Sequence, residues 1–598
     1  VVRSRGLGDV YKRQVIYKSM YFKKNFNKSF NILLLRILII FVFILVSFFI
    51  IIPLLPLFLK SFSDNKNNFI GLENFINYIQ NPSLTQSFIN SLKVAITTTF
   101  FSVLIGFIYA YALTRTRLPL KKFFNTFSLF SLYIPPLAVA IGLIYIFGKQ
   151  GLITQGFFGT IPGFDINLYG FNGIIIGEIF YCFPQALIIL VSALNLSDQR
   201  LYEAAESLKA SPLRKFLTIT LPNIKYGLMN SFFICFILSF TDFGVPKVVG
   251  GNFNVLATDI YKQVVGQQNF AMGATISIYL LVPSILAFLI DKNFQKNEAS
   301  LISGKSIPFK PRKNLIVDSI MFIFCSLILI LVIGVFSSIV LASLIKIWPY
   351  DISLSLQNFR FSNVAGNGYE PYFNTVFMSI YTAIFGTIFV FFTAYLVEKF
   401  KPLKKIRMLI YFFSTLPIAI PGLVLGLSYI LFFNKPSFSV PFLDFQIFNP
   451  FSLLYGTMGI LVLANIIHFF TVCFISATTT LKQIDKEFEE VSESLKVPFY
   501  KTFLRITIPL SLPTILEIGS YYFVNSMITV SAIIFLYPAK IPVSSVSIVN
   551  MDDAGDTASA AAMSTLIVLT SLFVRLIYEF TSRNVSKKSS VWINPLET

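Results

Sequence analysis

Long runs of apolar residues constrain this chain more than any other feature of its sequence. A helix needs about 20 apolar residues to cross the hydrocarbon core of a bilayer, and runs of that length recur along the chain. The predicted spans are 32–59, 94–114, 125–148, 173–196, 224–245, 270–290, 315–345, 373–397, 408–433, 453–478, 511–537 and 558–580. Because helices satisfy their own backbone polar groups in lipid, we predict an all-α membrane protein with twelve transmembrane helices.

The composition supports a protein that crosses the membrane many times. Of the 598 residues, 55% are hydrophobic and 13% are charged, which excludes an ordinary soluble domain. The formal net charge of +20 would be compatible with a nucleic-acid partner. The basic residues, however, lie in short loops beside the apolar runs, where they set topology. We therefore expect the lipid bilayer as a partner and no nucleic acid.

The distribution of basic residues also predicts the orientation of the chain. The connection after the second predicted span carries four basic residues within 115–122, whereas the next connection carries only Lys149. The connection after the eighth predicted span is again strongly basic. Because cytoplasmic loops carry the excess of Lys and Arg, both termini are predicted to be cytoplasmic.

An internal repeat divides the chain into two halves. Residues 203–222 read EAAESLKASPLRKFLTITLP and residues 490–509 read EVSESLKVPFYKTFLRITIP, identical at ten of twenty positions. Pro-Leu-Lys-Lys occurs twice, as does Gly-Leu-x-Tyr-Ile, at 142–146 and 426–430. We predict two homologous six-helix halves related by a pseudo-two-fold axis along the membrane normal.

The repeat predicts the following domain organisation. Residues 1–19 do not begin with Met, and we expect them to be non-native or disordered. The remaining segments are a first half at 20–291, a cytoplasmic linker at 292–314, a second half at 315–582 and a cytoplasmic tail at 583–598.

The two repeated segments are polar islands between apolar runs. Asp198 and Asp485 stand where an N-cap would lie, and apolar residues follow at helical spacing. A short amphipathic helix of this kind needs a protein groove or a membrane surface for its apolar stripe.

These islands resemble the EAA loop of permease subunits of binding-protein-dependent ABC importers. The first loop matches at Glu203, Ala204, Ala205, Ile219, Leu221 and Pro222, and the second at Glu490, Ile506 and Pro509. The resemblance implies a type I importer permease fold in which each loop is a coupling helix for a cytoplasmic ATPase. It also implies a fused permease of a bacterial plasma (inner) membrane, served by two ATPase copies and an extracytoplasmic solute-binding protein.

The chain departs from the family pattern where Lys209 and Lys496 replace a Gly. Two interpretations are open. If the position needs a positive φ, a side chain there costs about 1–2 kcal/mol. If the helix instead continues, a Lys near its C-terminal end contributes about 0.3–1 kcal/mol.

We predict that the chain is a transport subunit and not an enzyme. The nearest match to a phosphate-binding loop, Gly304-Lys305-Ser306, has Ala299 where the first Gly belongs. ATP is therefore expected to be used by a partner ATPase, with no catalytic residue, cofactor or metal site in this chain. His468, inside a predicted span, is interpreted as a packed residue.

Three carboxylates at predicted membrane depth are candidates for a substrate path: Glu178, Asp242 and Glu517. Strings such as NVLATDIYKQVVGQQ and MDDAGD resemble permeases for 2-aminoethylphosphonate within a group that also serves ferric iron. The resemblance favours 2-aminoethylphosphonate as the solute, with ferric iron next. The alternative is a secondary transporter driven by an ion gradient, which would need coupling carboxylates near the midplane and leaves the paired loops unexplained.

Overall fold

The computed structural model describes residues 33–298, 307, 309–362, 368–400, 402–439, 446–485, 487–495 and 497–593. The segment 1–19 lies outside the described residues, and the domain boundaries stay predictions. Of the tail at 583–598, residues up to Ile593 continue the last helix.

The first half is built from helices α1 to α11. They are α1 (Leu33–Ser61), α2 (Glu73–Gln80), α3 (Pro82–Arg115), α4 (Lys121–Ser128), α5 (Pro136–Phe147), α6 (Phe171–Asn195), α7 (Gln199–Ser207), α8 (Pro212–Thr241), α9 (Gly244–Val249), α10 (Leu256–Tyr261) and α11 (Phe270–Glu298).

The second half is built from helices α12 to α22. They are α12 (Leu315–Leu344), α13 (Glu370–Lys399), α14 (Lys404–Thr415), α15 (Gly422–Phe433), α16 (Met458–His468), α17 (Phe470–Gln483), α18 (Glu487–Ser494), α19 (Phe499–Thr502), α20 (Leu512–Ile528), α21 (Ser544–Asp553) and α22 (Thr557–Ile593).

Two short antiparallel hairpins lie in connections of the second half. The strands are β1 (Ile345–Ile347) paired with β2 (Asp351–Leu354), and β3 (Ser437–Ser439) paired with β4 (Gln446–Phe448). In the second hairpin Ser437 lies opposite Phe448.

Eleven of the twelve predicted spans correspond to helices or bent helix pairs of sufficient length and hydropathy in the described part of the chain. Eight are single helices, and three are pairs bent by 104°, 112° and 55°. The exception is 511–537, where α20 covers only Leu512–Ile528. Pro513 lacks the backbone N–H that would join this helix to the preceding turn, and a separate helix therefore begins at Leu512.

Prolines lie at the two sharpest bends. Pro135 and Pro136 separate α4 from α5, and Pro417 and Pro421 lie between α14 and α15. The N-caps of α4 and α14 also match, because Leu120 and Leu403 adopt left-handed φ values of 55° and 54°. The repeated Pro-Leu-Lys-Lys therefore has the same unusual backbone conformation in both halves.

The halves interlock through their first spans. The end of α1 packs against α11 of its own half and α15 of the other, whereas α12 packs against α22 of its own half and α5 of the other. The interface also contains hydrogen bonds between the halves. Tyr429 Oη donates to Phe49 O at 2.7 Å, and Ser338 Oγ donates to Gly142 O at 3.0 Å.

The repeated Gly-Leu-x-Tyr-Ile motif lies at this interface. A Cβ atom on Gly142 would lie 2.9 Å from both Ile339 Cγ1 and Val335 O of α12, so a side chain there would prevent the close approach. The Tyr145 hydroxyl lies 3.0 Å from Thr557 Oγ1 of the second half. Gly142 and both tyrosines of the repeat therefore make contacts between the halves, whereas a Cβ atom on Gly426 would lie 2.9 Å from Ala532 O of its own half.

Candidate functional site

The first polar island folds as the short helix α7. The Asp198 carboxylate accepts a hydrogen bond from Arg200 N at 3.0 Å, which confirms the predicted N-cap. At the other end Lys209 has a φ of 53°, so the helix does not continue. Lys209 N donates to Glu206 O at 2.8 Å and Ala210 N donates to Ala205 O at 2.9 Å. This Schellman arrangement requires a positive φ and decides between the two interpretations of Lys209.

The second island forms the equivalent helix α18. Asp485 Oδ1 accepts from Glu487 N at 3.1 Å, again as an N-cap. Val497 N donates to Ser492 O at 3.0 Å, the counterpart of the bond between Ala210 and Ala205. Lys496 lies outside the described residues.

A π-helical turn follows each short helix. The turns are Phe216–Thr220 and Phe503–Thr507, and each ends two residues before the proline of its repeat, Pro222 or Pro509. Because proline has no backbone N–H, it cannot continue the preceding hydrogen-bond ladder. The repeated Ile-Thr-x-Pro therefore marks a matched local widening of the helix in both halves.

The short helices expose apolar side chains at equivalent positions. Leu208 is 82% exposed and its counterpart Leu495 is 71% exposed. Leu201 and Phe488 form a second exposed pair. Solvent-exposed apolar residues repeated on two related helices are typical of a protein-binding surface.

The polar loop residues singled out from sequence are accessible in the same region. Glu203, Ala204 and Glu490 are exposed, and Ala205 is partly buried. Glu203 Oε1 accepts from Gln199 Nε2 at 2.9 Å, so part of its carboxylate is already bound within α7.

A cation at the end of the second span anchors each short helix. Arg115 Nη2 donates to Leu194 O at 2.6 Å, and its guanidinium lies 5.6 Å from the centre of the Tyr202 ring. At the equivalent place, Lys399 Nζ donates to Ile484 O at 3.0 Å and pairs with Glu489 at 3.1 Å. A cation thus holds each of the two helices, through a ring contact at α7 and through an ion pair at α18.

The linker between the halves contacts α7. Gln199 N donates to Ile307 O at 2.9 Å, and Lys310 N donates to Gln199 Oε1 at 2.6 Å. The Phe309 ring lies 4.7 Å from Tyr202 and 4.5 Å from the Arg115 guanidinium.

An ion pair extends this contact between the linker and α7. Arg312 Nη1 lies 2.6 Å from Glu206 Oε2, and Lys215 Nζ lies 3.1 Å from the other oxygen. The hydrogen bond from Lys215, together with Arg312, holds the pKa of the Glu206 carboxyl below its ordinary value. We did not predict these linker contacts from the sequence.

Two of the three candidate path carboxylates come together. Glu178 in α6 is fully buried and interacts with Asp242, the residue that ends α8. Asp242 Oδ2 also accepts from Val245 N at 2.9 Å and so begins α9. Among the described residues, no hydrogen-bond donor reaches the Glu178 oxygens.

The pair of carboxylates is present in the first half alone. In the register that pairs residue 203 with residue 490, Asn465 replaces Glu178 and Thr529 replaces Asp242. Glu517 lies elsewhere, with an exposed side chain on α20, and replaces Asn230 of the first half. The structure therefore supports Glu178 and Asp242 as one cluster and separates Glu517 from it.

An ion pair joins the halves at the end of the bundle opposite α7 and α18. Lys247 Nζ of α9 lies 2.9 Å from Asp553 Oδ1 of α21 and 5.0 Å from the centre of the Tyr261 ring. Burial and the charge of Asp553 raise the pKa of Asp552 to about 6. Near that pH Asp552 takes up a proton.

Comparison with known proteins identifies a family to which this chain is similar. The sequence profile described as "Binding-protein-dependent transport system inner membrane component" matches residues 102–299 and again residues 391–587. The two matches fall in the two halves that the internal repeat defines.

Relatives with assigned names are similar over much of the chain. The ferric transport system permease protein FbpB of Actinobacillus pleuropneumoniae is 29% identical over 557 residues, covering 90% of this chain and 77% of the relative. A provisionally named ferric permease, FbpB 1 of Haemophilus influenzae, is 30% identical over 520 residues, covering 83% and 77%. A provisionally named 2-aminoethylphosphonate permease, PhnU of Salmonella typhi, is 25% identical over 227 residues, covering 37% and 78%.

We predict that Phe309→Ala loosens α7 selectively. The variant loses the ring contacts with Tyr202 and Arg115, so backbone amides of 199–207 should exchange with solvent about five- to tenfold faster, a change of about 1 kcal/mol. Hydrogen exchange of the full-length protein measures this effect. Helix α18 in the same sample is the control, and an equal acceleration at 487–494 would contradict a specific role for the linker.

Proposed function

The chain belongs to the inner-membrane components of binding-protein-dependent transport systems, and we propose that it couples solute import to ATP hydrolysis by separate cytoplasmic subunits. It is a multi-pass permease with two fused family domains. The observation that carries the coupling proposal is the pair of short helices α7 and α18, which have matched caps, matched π-turns and matched exposed leucines.

Each short helix provides what an ATPase subunit needs for docking. It lies between the fourth and fifth spans of its half, so a push on it is transmitted directly to two membrane helices. Burying an exposed Leu side chain contributes about 1.5–3 kcal/mol, and each surface has several such side chains. Two related surfaces support two ATPase copies, with α7, α18 and both termini on the cytoplasmic side.

The opposite end of the bundle is proposed to receive solute from the capture protein. There α9 packs against α5 and α6 of its own half, with Asp242 at its start, and Lys247 of α9 pairs with Asp553 of the other half. Opening a path at this end requires the halves to separate and this ion pair to break. Closure of the ATPases would supply that free energy, which favours this mechanism over the ion-gradient alternative.

We propose ferric iron as the solute and 2-aminoethylphosphonate as the second candidate. The relatives that align over most of this chain have ferric names, whereas the aminoethylphosphonate relative aligns over 37% of it. The clustered carboxylates Glu178 and Asp242 offer hard oxygen ligands, which suit a hard cation passing through. This ranking reverses the preference that the short sequence strings suggested.

We predict that Leu208→Asp combined with Leu495→Asp separates the permease from its ATPase. Each substitution removes apolar burial from the docking surface and would bury a charge, so affinity should fall at least about tenfold per site. Because both side chains are exposed, the protein itself should insert and fold normally. Co-purification and solute-stimulated ATP hydrolysis in liposomes measure the effect.

Leu354→Asp is the matched control for the docking experiment. Leu354 is 73% exposed in β2, at the end opposite the short helices. Normal ATPase binding by the double variant, or equal loss in the control, would refute docking at α7 and α18.

We predict that Lys247→Gln weakens closure of the end that faces the capture protein. A partly exposed ion pair contributes about 0.2–1 kcal/mol, so ATP hydrolysis without capture protein should rise about two- to fivefold. The exchanged pair, Lys247→Asp with Asp553→Lys, should restore the low rate. Lys262→Gln is the control, because Lys262 donates to Asn254 within its own half. An unchanged rate in Lys247→Gln would argue against this role.

Uptake measurements distinguish the two candidate solutes. A strain that relies on this permease and its partners should accumulate radiolabelled iron, and Glu178→Gln with Asp242→Asn should reduce the rate at least about tenfold. The same strain is tested for growth on 2-aminoethylphosphonate as the sole phosphorus source. Growth without iron uptake would reverse the ranking. The absence of both growth and iron uptake would reject both solutes.

A further inference from the structure

A crevice of about 430 Å³ lies between the two halves, at the end of the bundle opposite α7 and α18. The end of α1 forms one wall and the end of α15 forms the other. Its apolar part includes Leu59 and Leu431, and Leu59 is 63% exposed on the outer surface of the bundle. Its polar part includes the side-chain amides of Asn65 and Gln268.

Two lysines from different halves give the polar part a positive charge. Lys60 Nζ donates to Asp64 O and Asn67 Oδ1, both at 2.7 Å, and to Asn65 O at 3.3 Å. These three oxygen atoms hold the Lys60 ammonium group in place, and none of them belongs to a carboxylate. The nearby Asp64 carboxylate accepts instead from Asn68 N at 2.7 Å and Asn68 Nδ2 at 2.9 Å.

The second lysine, Lys435, follows α15 and is close enough to Lys60 for their charges to repel. Within the described ranges, neither lysine has a carboxylate oxygen within 4.0 Å. Two like charges held beside one crevice are unfavourable until an anion enters between them.

The related place in the other half shows that the crevice does not follow from the fold itself. Between the ends of α12 and α5, the Trp348 ring packs 5.2 Å from Tyr145 and 5.2 Å from Phe158, and its Nε1 donates to Gln150 O at 2.8 Å. The lysine there, Lys346, is paired with Asp351 at 3.2 Å. One location is filled and neutral, whereas the other is open and cationic.

We propose that this crevice binds a phosphoryl anion through Lys60 and Lys435. The Lys435 ammonium and the side-chain amides can donate to the phosphoryl oxygens, and Lys60, whose three N–H groups are already bound, contributes its positive charge. The anion would belong to an anionic phospholipid of the adjacent leaflet, with its chains along the exposed apolar wall, or to a soluble phosphate or phosphonate. Bound between lysines of both halves, it would hold the ends of α1 and α15 together.

The test uses the full-length protein in an uncharged detergent, titrated separately with phosphatidylglycerol, phosphatidylcholine, inorganic phosphate and 2-aminoethylphosphonate. Native mass spectrometry counts bound molecules, and thermal unfolding measures stabilisation. Binding of the anionic probe should be at least about tenfold weaker in the double variant Lys60→Gln with Lys435→Gln. The reason is that the charges of both lysines contribute to the affinity for a phosphoryl group. Phosphatidylcholine should not displace the bound anionic probe.

Two further variants keep the result interpretable. Lys346→Gln removes a lysine from the related location and should leave binding unchanged. Asn434→Trp fills the crevice as Trp348 fills its counterpart, and should abolish binding without altering charge. Saturation by phosphatidylglycerol identifies a lipid source, and saturation by phosphate or phosphonate alone identifies a soluble one. Binding that is absent, or equal in all variants, overturns the proposal.

Discussion

The exchange of first spans between the halves is the packing interaction on which the rest of this structure depends. α1 lies against α15 and α12 lies against α5, so neither half can present its bent third span without the other. In lipid, helices gain little from the hydrophobic effect against one another, and close packing with interhelical hydrogen bonds has to stabilise the contact. Gly142, Tyr145 and Tyr429 supply these features.

The same interlocking permits the broken helices. A bend of 112° between α14 and α15 frees backbone groups that lipid cannot satisfy. The structure satisfies them internally: Ile418 N donates to Thr471 Oγ1 at 3.2 Å, and Thr471 Oγ1 donates to Ser414 O at 3.0 Å. At this bend the side chain of Thr471 in α17 therefore supplies hydrogen-bond partners that the broken helix lacks.

Local chemistry made much of this fold predictable from sequence. Apolar length identified eleven of the spans, and Asp198 and Asp485 identified two N-caps. The conformation of Lys209 could only be narrowed to two alternatives, because a Lys is compatible with both and only the carbonyl partners decide. The contacts of Phe309 with Tyr202 and of Glu178 with Asp242 join residues that are far apart in sequence, and no periodicity encodes such pairs.

The polar features that distinguish the halves are as informative as the repeat. The paired carboxylates and the bound linker occur in the first half, whereas the second half has Asn465 at the position of Glu178 and an ion pair from Lys399 to Glu489 in place of the ring contact. In a dimer of identical subunits, any such group would appear twice around the axis. Fusing the halves removes that constraint, so that one half can carry groups that the other lacks. The short helices α7 and α18 keep matched N-caps and exposed leucines, whereas the carboxylate pair and the linker contacts occur once.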